Sequence, residues 1–302
     1  VDFAGGSNGN ALGMAAADFI GVDNGTGQRT GIQAFLDNDE VSVMAVPGVT
    51  DPDVQLSLVT HCEELASRFA VLDIPRAAGT VQEILKHRHI LDTTYAAFYH
   101  PWLRAFDFLD KQNSSIPPSG SIAGIYARTD NTRGVHKAPA NEVVRSCVGL
   151  DVQFNTGDQD LLNPEGVNLI RAIVGRGIRV WGARTASSDG RWKYINIRRL
   201  FIFIEESIKA NTNWVVFEPN DEMLWGRVRR TIEVFLDSLW RGGALAGSVP
   251  EEAFWVKVGR DTMSQDDIDN GRLICVIGAA PVRPAEFVIF SISQNTGMPG
   301  NI

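Results

Sequence analysis

The residues best suited to chemistry lie in GVHKAPANE, residues 134–142, where His136, Lys137 and Glu142 share one turn-like stretch. A histidine near a carboxylate is the raw material of general acid–base catalysis. Lys137 works against that use, because a neighbouring cation lowers the value of His136 as a base. A Ser-His-Asp hydrolase needs a serine held in a strained turn or at a helix start. No G-x-S-x-G occurs, and the serines of SSIPPSG and TASSDG lie in polar loops. His87 and His89 are two apart and point to different helix faces. His61 and Glu64 are an i, i+3 pair with no third metal ligand, and His61 reads as a surface histidine. GGSNGNALG and GVDNGTG lack the G-K-[ST] ending of a phosphate loop and read as flexible loops. GVHKAPANE is therefore expected to be a connector, with Pro139 and Asn141 shaping a turn and His136 and Lys137 at the surface.

The elements that would carry these groups follow from periodicity. VSVMAVPG reads as a buried strand. DPDVQLSLVTHCEELASRFA follows as a helix, with Asp51 as N-cap, Pro52 in its first turn, and Val54, Leu58, Cys62, Leu65 and Phe69 on one face. AVLDIP is a second strand, TVQEILKHRHI a second helix and TTYAAFYHPW a third strand, the rhythm of a parallel α/β layer. KQNSSIPPSG breaks the pattern as a loop before the helix SIAGIYARTDNTRG. EVVRSCVGLDVQF reads as a strand. NLIRAIVGRGIRVWGART reads as two apolar runs reversing at GRG. INIRRLFIFIEESIKAN is a helix with Ile197, Leu200, Phe201, Ile204 and Ile208 along one side. DEMLWGRVRRTIEVFLDSLWRGG is a longer one, stopped by Gly242, with Leu224, Trp225, Val228, Ile232, Phe235, Leu236, Leu239 and Trp240 as its stripe. AFWVKVG, RLICVIGAAPV and AEFVIFSIS read as three closing strands.

Composition narrows the function classes. The chain has 302 residues, 44% hydrophobic and 21% charged, an ordinary globular balance. Its net charge of −8 argues against wholesale nucleic-acid binding. No apolar run approaches the roughly 20 residues of a membrane helix, and the opening residues do not read as a signal peptide. Val1 in place of methionine is expected of a trimmed or processed chain. The three cysteines, Cys62, Cys147 and Cys275, are scattered and read as reduced thiols. Residues 171–241 are net basic within this acidic chain, an asymmetry of the kind that marks a partner surface.

From residue 163 onward the sequence becomes specific. NPEGVNLIRAIVGRGIRVWGARTASSDG, NDEMLWGRVRRTIEVFLDSLWRGGALAG, PEEAFWVKVG and DIDNGRLICVIGAAPVRPAEFVIFSISQ closely resemble the C-terminal half of contractile tail sheath proteins. Such proteins occur in myophages, phage-tail-like bacteriocins and extracellular contractile injection systems. The resemblance covers most of residues 31–294 and takes in GVHKAPANE.

The resemblance implies an α/β fold: a subtilisin-like α/β sandwich without a catalytic triad, followed by a C-terminal α+β sheath domain. It divides the chain into a Gly-rich opening segment (1–31), a middle domain (32–142), a sheath domain (143–292) and a C-terminal arm (293–302). The implied function is structural, with no catalysis and no cofactor. Subunits form six-membered rings stacked helically around an inner tube, and contraction drives the tube through a target envelope. The implied partners are other copies, the inner tube protein, and baseplate and terminal cap proteins, with no nucleic acid and no membrane insertion. The setting is a virion or phage-tail-like particle assembled in the bacterial cytoplasm. The helix 221–241 is the implied tube contact, with Arg227, Arg230 and Arg241 outward. Strand exchange between neighbours is assigned to Phe290, Ser291, Ile292, Ser293 and Gln294. Family members carry an N-terminal arm ahead of this region. A chain opening in a Gly-rich stretch is expected to be a fragment or to lack those residues. The alternatives are a non-contractile shell or adaptor of the same fold and, third, an α/β enzyme.

Overall fold

The computed structural model describes residues 13–286. The chain enters through a short helix α1 (Ala16–Ile20) and a 3-10 turn at Gly31–Asp37. Strand β1 (Val43–Met44) leads into α2 (Pro52–Leu65), β2 (Phe69–Asp73), α3 (Val81–Arg88) and β3 (Ala96–His100). The α2 start is as expected: the Asp51 carboxylate accepts from the Asp53 and Val54 amides, and Pro52 opens the first turn. Thr80 and Glu83 form a capping box on α3. Val54, Leu58 and Cys62 are buried, whereas Phe69 already belongs to β2. Every residue of β2 and β3 is buried, which explains their unbroken apolar runs.

A hairpin follows, β4 (Leu103–Asp107) with β5 (Gln112–Ile116), and then α4 (Ser119–Arg133). The segment 111–120, expected as a loop, thus contains a strand. Its Gln-Asn-Ser-Ser run faces solvent at a sheet edge, where antiparallel pairing needs no apolar period. The expected strand across 142–154 reduces to β6 (Gly149–Leu150), which pairs with β4, and a single bridge from Val143 to Arg179. Ser146 takes a positive φ of 57° and breaks the extended run.

Helix α5 (Thr156–Leu162) precedes the hairpin β7 (Val167–Ile173) and β8 (Gly177–Val180). Gly175 and Gly177, at φ 71° and 75°, make its reversal. β7 lies parallel to β3, so one five-stranded sheet runs in the order β1-β2-β3-β7-β8. A boundary at residue 142 therefore cuts this sheet, whose last two strands come from residues 167–180. The region 101–166 is a long excursion between neighbouring strands, and no local pattern in the sequence signals the return.

The two faces of the sheet carry separate cores. One buries Leu58, Ile84, Leu72 and Phe98 under α2 and α3. The other buries Tyr99, Ile122, Tyr126 and Ile170 under α4 and α6 (Ile195–Asn211). A third core joins α6 to α7 (Glu222–Arg241), α8 (Pro250–Ala253), β9 (Phe254–Val258), α9 (Gln265–Asp269) and β10 (Cys275–Ala279). Helix α6 serves two cores, with Ile195 and Ile202 in the second and Leu200 and Ile204 in the third. β9 and β10 pair antiparallel as a two-stranded sheet. Of the third expected closing strand, 285–293, only Ala285 and Glu286 are described, and neither is in a strand; the rest falls outside the described residues.

His100 closes β3, fully buried, with both ring nitrogens lacking a hydrogen bond among the described residues. Burial pushes its pKa down to about 4, outweighing the Ala78 backbone and the Asp151 carboxylate, which favour the charged ring. A depressed histidine pKa makes the unfolded chain bind the extra proton first. Stability is therefore full above pH ~6.5 and falls as pH drops towards 4, by about 3 kcal/mol from this residue. His100→Phe should remove that slope. Urea unfolding of both proteins between pH 7 and pH 4 measures it, and parallel pH profiles would count against it.

Candidate functional site

The geometry at the carboxyl ends of the parallel strands settles what the central ionisable groups do. Asp73, at the end of β2, accepts hydrogen bonds from the Gly48 amide at 2.9 Å, the Ser119 amide at 2.9 Å and the Ser119 hydroxyl at 2.7 Å. Burial raises its pKa, and these three bonds act in the opposite direction. Ser119 has no exposed surface and donates straight to a carboxylate, with no imidazole between them. The cluster anchors the start of α4.

The other histidines also have structural settings. His61 is buried, not at the surface, because its Nε2 lies 2.8 Å from Nη1 of the buried Arg68. Burial and then Arg68 lower its pKa. His87 meets the Gln55 side-chain oxygen at 3.0 Å, and His89 meets Glu165 at 3.1 Å. In the loop GVDNGTG, Asp23 accepts from the Gly25 amide and from Arg29 and closes a turn.

GVHKAPANE is the connector that Pro139 and Asn141 suggest. Gly134 ends α4 at φ 87°, and a Cβ there would lie 2.9 Å from the His136 ring. Asn141 takes φ 59° and donates its amide to the Val180 carbonyl at 2.8 Å. His136 and Lys137 are not surface groups, however. Both are half-buried, and burial lowers both pKa values. They line a cleft of about 930 Å³ together with Asn163, Arg171, Asn196 and the segment 282–286. Glu286 closes one wall. Its carboxylate takes Arg184 in a fork at 2.9 and 2.7 Å, Asn163 at 2.7 Å and Tyr194 at 3.1 Å. Burial opposes ionisation there, but these donors hold the pKa below the usual glutamate value. The cleft unites residues dispersed through the sequence, and none of its parts forms a motif.

Helix α7 is the second candidate surface. Asp221 caps it through the Leu224 amide at 2.9 Å. Leu224, Trp225, Val228, Ile232 and Leu236 are buried, while Phe235, Leu239 and Trp240 are half-buried. Arg229 turns inward enough to donate to the Val258 carbonyl at 3.0 Å. Arg227, Arg230 and Arg241 are exposed. At 3.6 residues per turn they fall on one stripe about 21 Å long. Arg227 sits 4.4 Å over the Trp214 ring and 3.6 Å from Glu218. Arg241 is tied to Asp237 at 2.6 Å. Arg230 makes no ion pair among the described residues, and it shares a shallow depression with Arg227, Trp214, Thr231 and Val234.

The stripe is not purely ionic. Met223 is 79% exposed, Val234 65% and Phe217 fully exposed. Phe217 also has φ 69°, a strained region for an aromatic residue. These apolar neighbours escape sequence reasoning because helical periodicity assigns an inward stripe and says nothing of apolar residues beside the outer one. A WVVFEP run ahead of a capping aspartate was the available signal. The strand-exchange candidates Phe290 to Gln294 lie outside the described residues.

Comparison with known proteins places this geometry. The family models for the phage tail sheath protein central domain and the phage tail sheath C-terminal domain match residues 24–186 and 187–295. The tail sheath protein of Escherichia phage P2 is 23% identical over 286 residues, covering 91% of this chain and 70% of that protein. The sheath of an extracellular contractile injection system, PVC, solved in its contracted state, is 37% identical. It superposes with a TM-score of 0.77 over 84% of this chain and 71% of its own. The contracted helical sheath of the anti-feeding prophage is 36% identical, with a TM-score of 0.72 over 86% of this chain and 72% of its own. With a central and a C-terminal family model joined end to end across the described fold, the chain belongs to the phage tail sheath protein family.

Proposed function

We propose that this protein is the structural subunit of a contractile sheath. Copies polymerise as six-fold rings stacked helically around an inner tube, and contraction drives that tube through a target envelope. The observation that carries the reading is the 37% identity to the contracted PVC sheath over 84% of the chain. That likeness also favours a contractile sheath over a static shell. The partners are other copies, the tube, and baseplate and cap proteins, and the setting is a virion or phage-tail-like particle assembled in the bacterial cytoplasm. The role is mechanical. It needs no bond-making step and no cofactor, in keeping with a serine and an aspartate spent on anchoring α4. The central module is assigned the subtilisin-like sandwich arrangement.

Two surfaces divide the work. A two-stranded sheet is marginal alone, and among the described residues β9–β10 has unpaired edges to which neighbours' arms can add, with Phe290 to Gln294 as the donated strand. The α7 stripe faces the tube. Its arginines are each weak as exposed pairs, and Met223, Phe217 and Val234 add apolar contact. Repetition around each ring makes weak contacts sufficient while still letting the sheath release.

Electron microscopy of the purified protein tests the reading: hollow six-fold cylinders of two diameters are expected, and discrete monomers would overturn it. The Arg227→Glu, Arg230→Glu double variant should still form sheath polymers but should fail to assemble on the tube. Tube-bound sheath at the parent level would refute the α7 assignment. The exposure of both side chains means folding should be unchanged, which a thermal melt checks.

A further inference from the structure

We propose that the cleft and the tip of the β4–β5 hairpin are the two halves of one contact between copies of this chain, the tip of one copy seated in the cleft of the next. The cleft has unmet needs. Gln159, Asn163 and Asn196 are all more than nine-tenths buried on its lining. Each spends its NH2 group within the subunit: Gln159 on the Trp181 carbonyl at 3.0 Å, Asn163 on Glu286 at 2.7 Å, Asn196 on the His136 carbonyl at 2.9 Å. Their three amide oxygens have no donor among the described residues. A buried acceptor left without a donor is costly, and these oxygens sit just beneath the lining with almost no accessible surface, so an occupant whose N–H groups press into that lining is favoured. The ionic lining is mainly positive, with Arg133, Lys137, Arg171 and Arg283 against Asp160 and a Glu286 already held by Arg184. An apolar, acidic, N–H-bearing segment fits.

The hairpin tip has that chemistry. Phe108 and Leu109 are 82% and 92% exposed, and the Phe106 and Phe108 rings meet edge to face at 5.2 Å. Such a knob gains nothing within its own subunit. Asp107 fixes the turn by accepting from the Leu109 amide at 2.8 Å and the Asp110 amide at 3.4 Å. Asp110 and Asp107 supply the carboxylates, and Lys111 supplies an ammonium donor. A knob and a hole on different parts of one surface make a heterologous, head-to-tail contact, which builds a ring where the rotation closes and a helical stack where it does not. The inference rests on the reading that copies assemble, and its test separates the two.

Copies carrying Leu109→Cys are mixed with copies carrying Ala140→Cys, assembled and oxidised. A disulfide-linked dimer containing both variants is expected, and neither variant alone should give it. Assembled cylinders without the mixed disulfide would overturn the contact and leave the sheath reading standing, whereas parent protein that forms no cylinders would sink that reading. The Ala140→Cys thiol should react with maleimide in free subunits and be protected in particles. Equal protection in both would assign the cleft to the subunit's own chain and overturn the proposal. Phe108→Ser with Leu109→Ser should leave the melting curve unchanged and cut particle yield at least tenfold. Undiminished yield would also overturn it.

Discussion

Asn168→Leu is expected to be the most damaging single substitution in the central sheet. Asn168 has no exposed surface, and its amide seals the space between β7 and its neighbours. The NH2 group donates to the Phe98 carbonyl at 3.1 Å and the Arg184 carbonyl at 2.7 Å, while the oxygen accepts from the Arg184 amide at 2.7 Å. Leucine fills the volume but satisfies none of the three. Each orphaned buried group costs about 1–3 kcal/mol, so the sum takes a large share of a stability typically about 5–15 kcal/mol. Urea unfolding of the unassembled subunit measures the loss. A change below about 1 kcal/mol would show that the backbone groups find other partners.

Asp130→Ala should follow, at about 3 kcal/mol, the low end for breaking a buried pair. Arg199, on α6, is 8% exposed and grips Asp130, on α4, at 3.0 and 2.6 Å. Its guanidinium lies 4.6 Å over Tyr126, whose hydroxyl meets that of Tyr99 at 2.8 Å. Removing the carboxylate alone strands a desolvated cation. Pairing Asp130→Ala with Arg199→Met should return most of the loss, since a buried ion pair replaced by apolar groups is often near neutral. A double variant as unstable as the sum of its parts would assign the damage to packing instead. Unfolding curves of the three variants decide between these outcomes.

Much of this fold is legible in the sequence where physics is local. The Asp51-Pro52 start of α2, the Gly134 end of α4 and the apolar stripe of α7 follow from neighbours within a few residues. The long-range steps do not. Nothing in NLIRAI reveals that β7 returns to lie beside β3, because parallel pairing is set by tertiary packing and not by pattern. The polar strand β5 is invisible for the related reason that edge strands in water need no hydrophobic signature. Arg198 and Arg199 belong to the net basic stretch 171–241 that reads as a partner surface, yet both are buried. Arg198 lies 3.6 Å over Trp192 and 4.4 Å over Tyr95, a setting that only the folded chain supplies.

The candidate surfaces divide the same way. The α7 arginines follow from helical spacing and a family resemblance. The cleft required six separate segments to converge, and His136 and Lys137 change from loop decoration to lining only once residues 282–286 arrive. Phe217 and the hairpin tip are apolar residues in the wrong place for a core, which a periodicity argument discards as noise.

The sharing of α6 between two cores has a mechanical consequence. The family models meet at residues 186 and 187, yet Ile195 and Ile202, beyond that seam, are plugged into the central module, and Arg199 rivets the same helix to α4. A pull on α7 reaches the five-stranded sheet through packed side chains, not across a slack tether. Such a subunit turns like a stiff lever, and close-packed cores yield little. The torque of sheath shortening must then be taken up at the seams between levers.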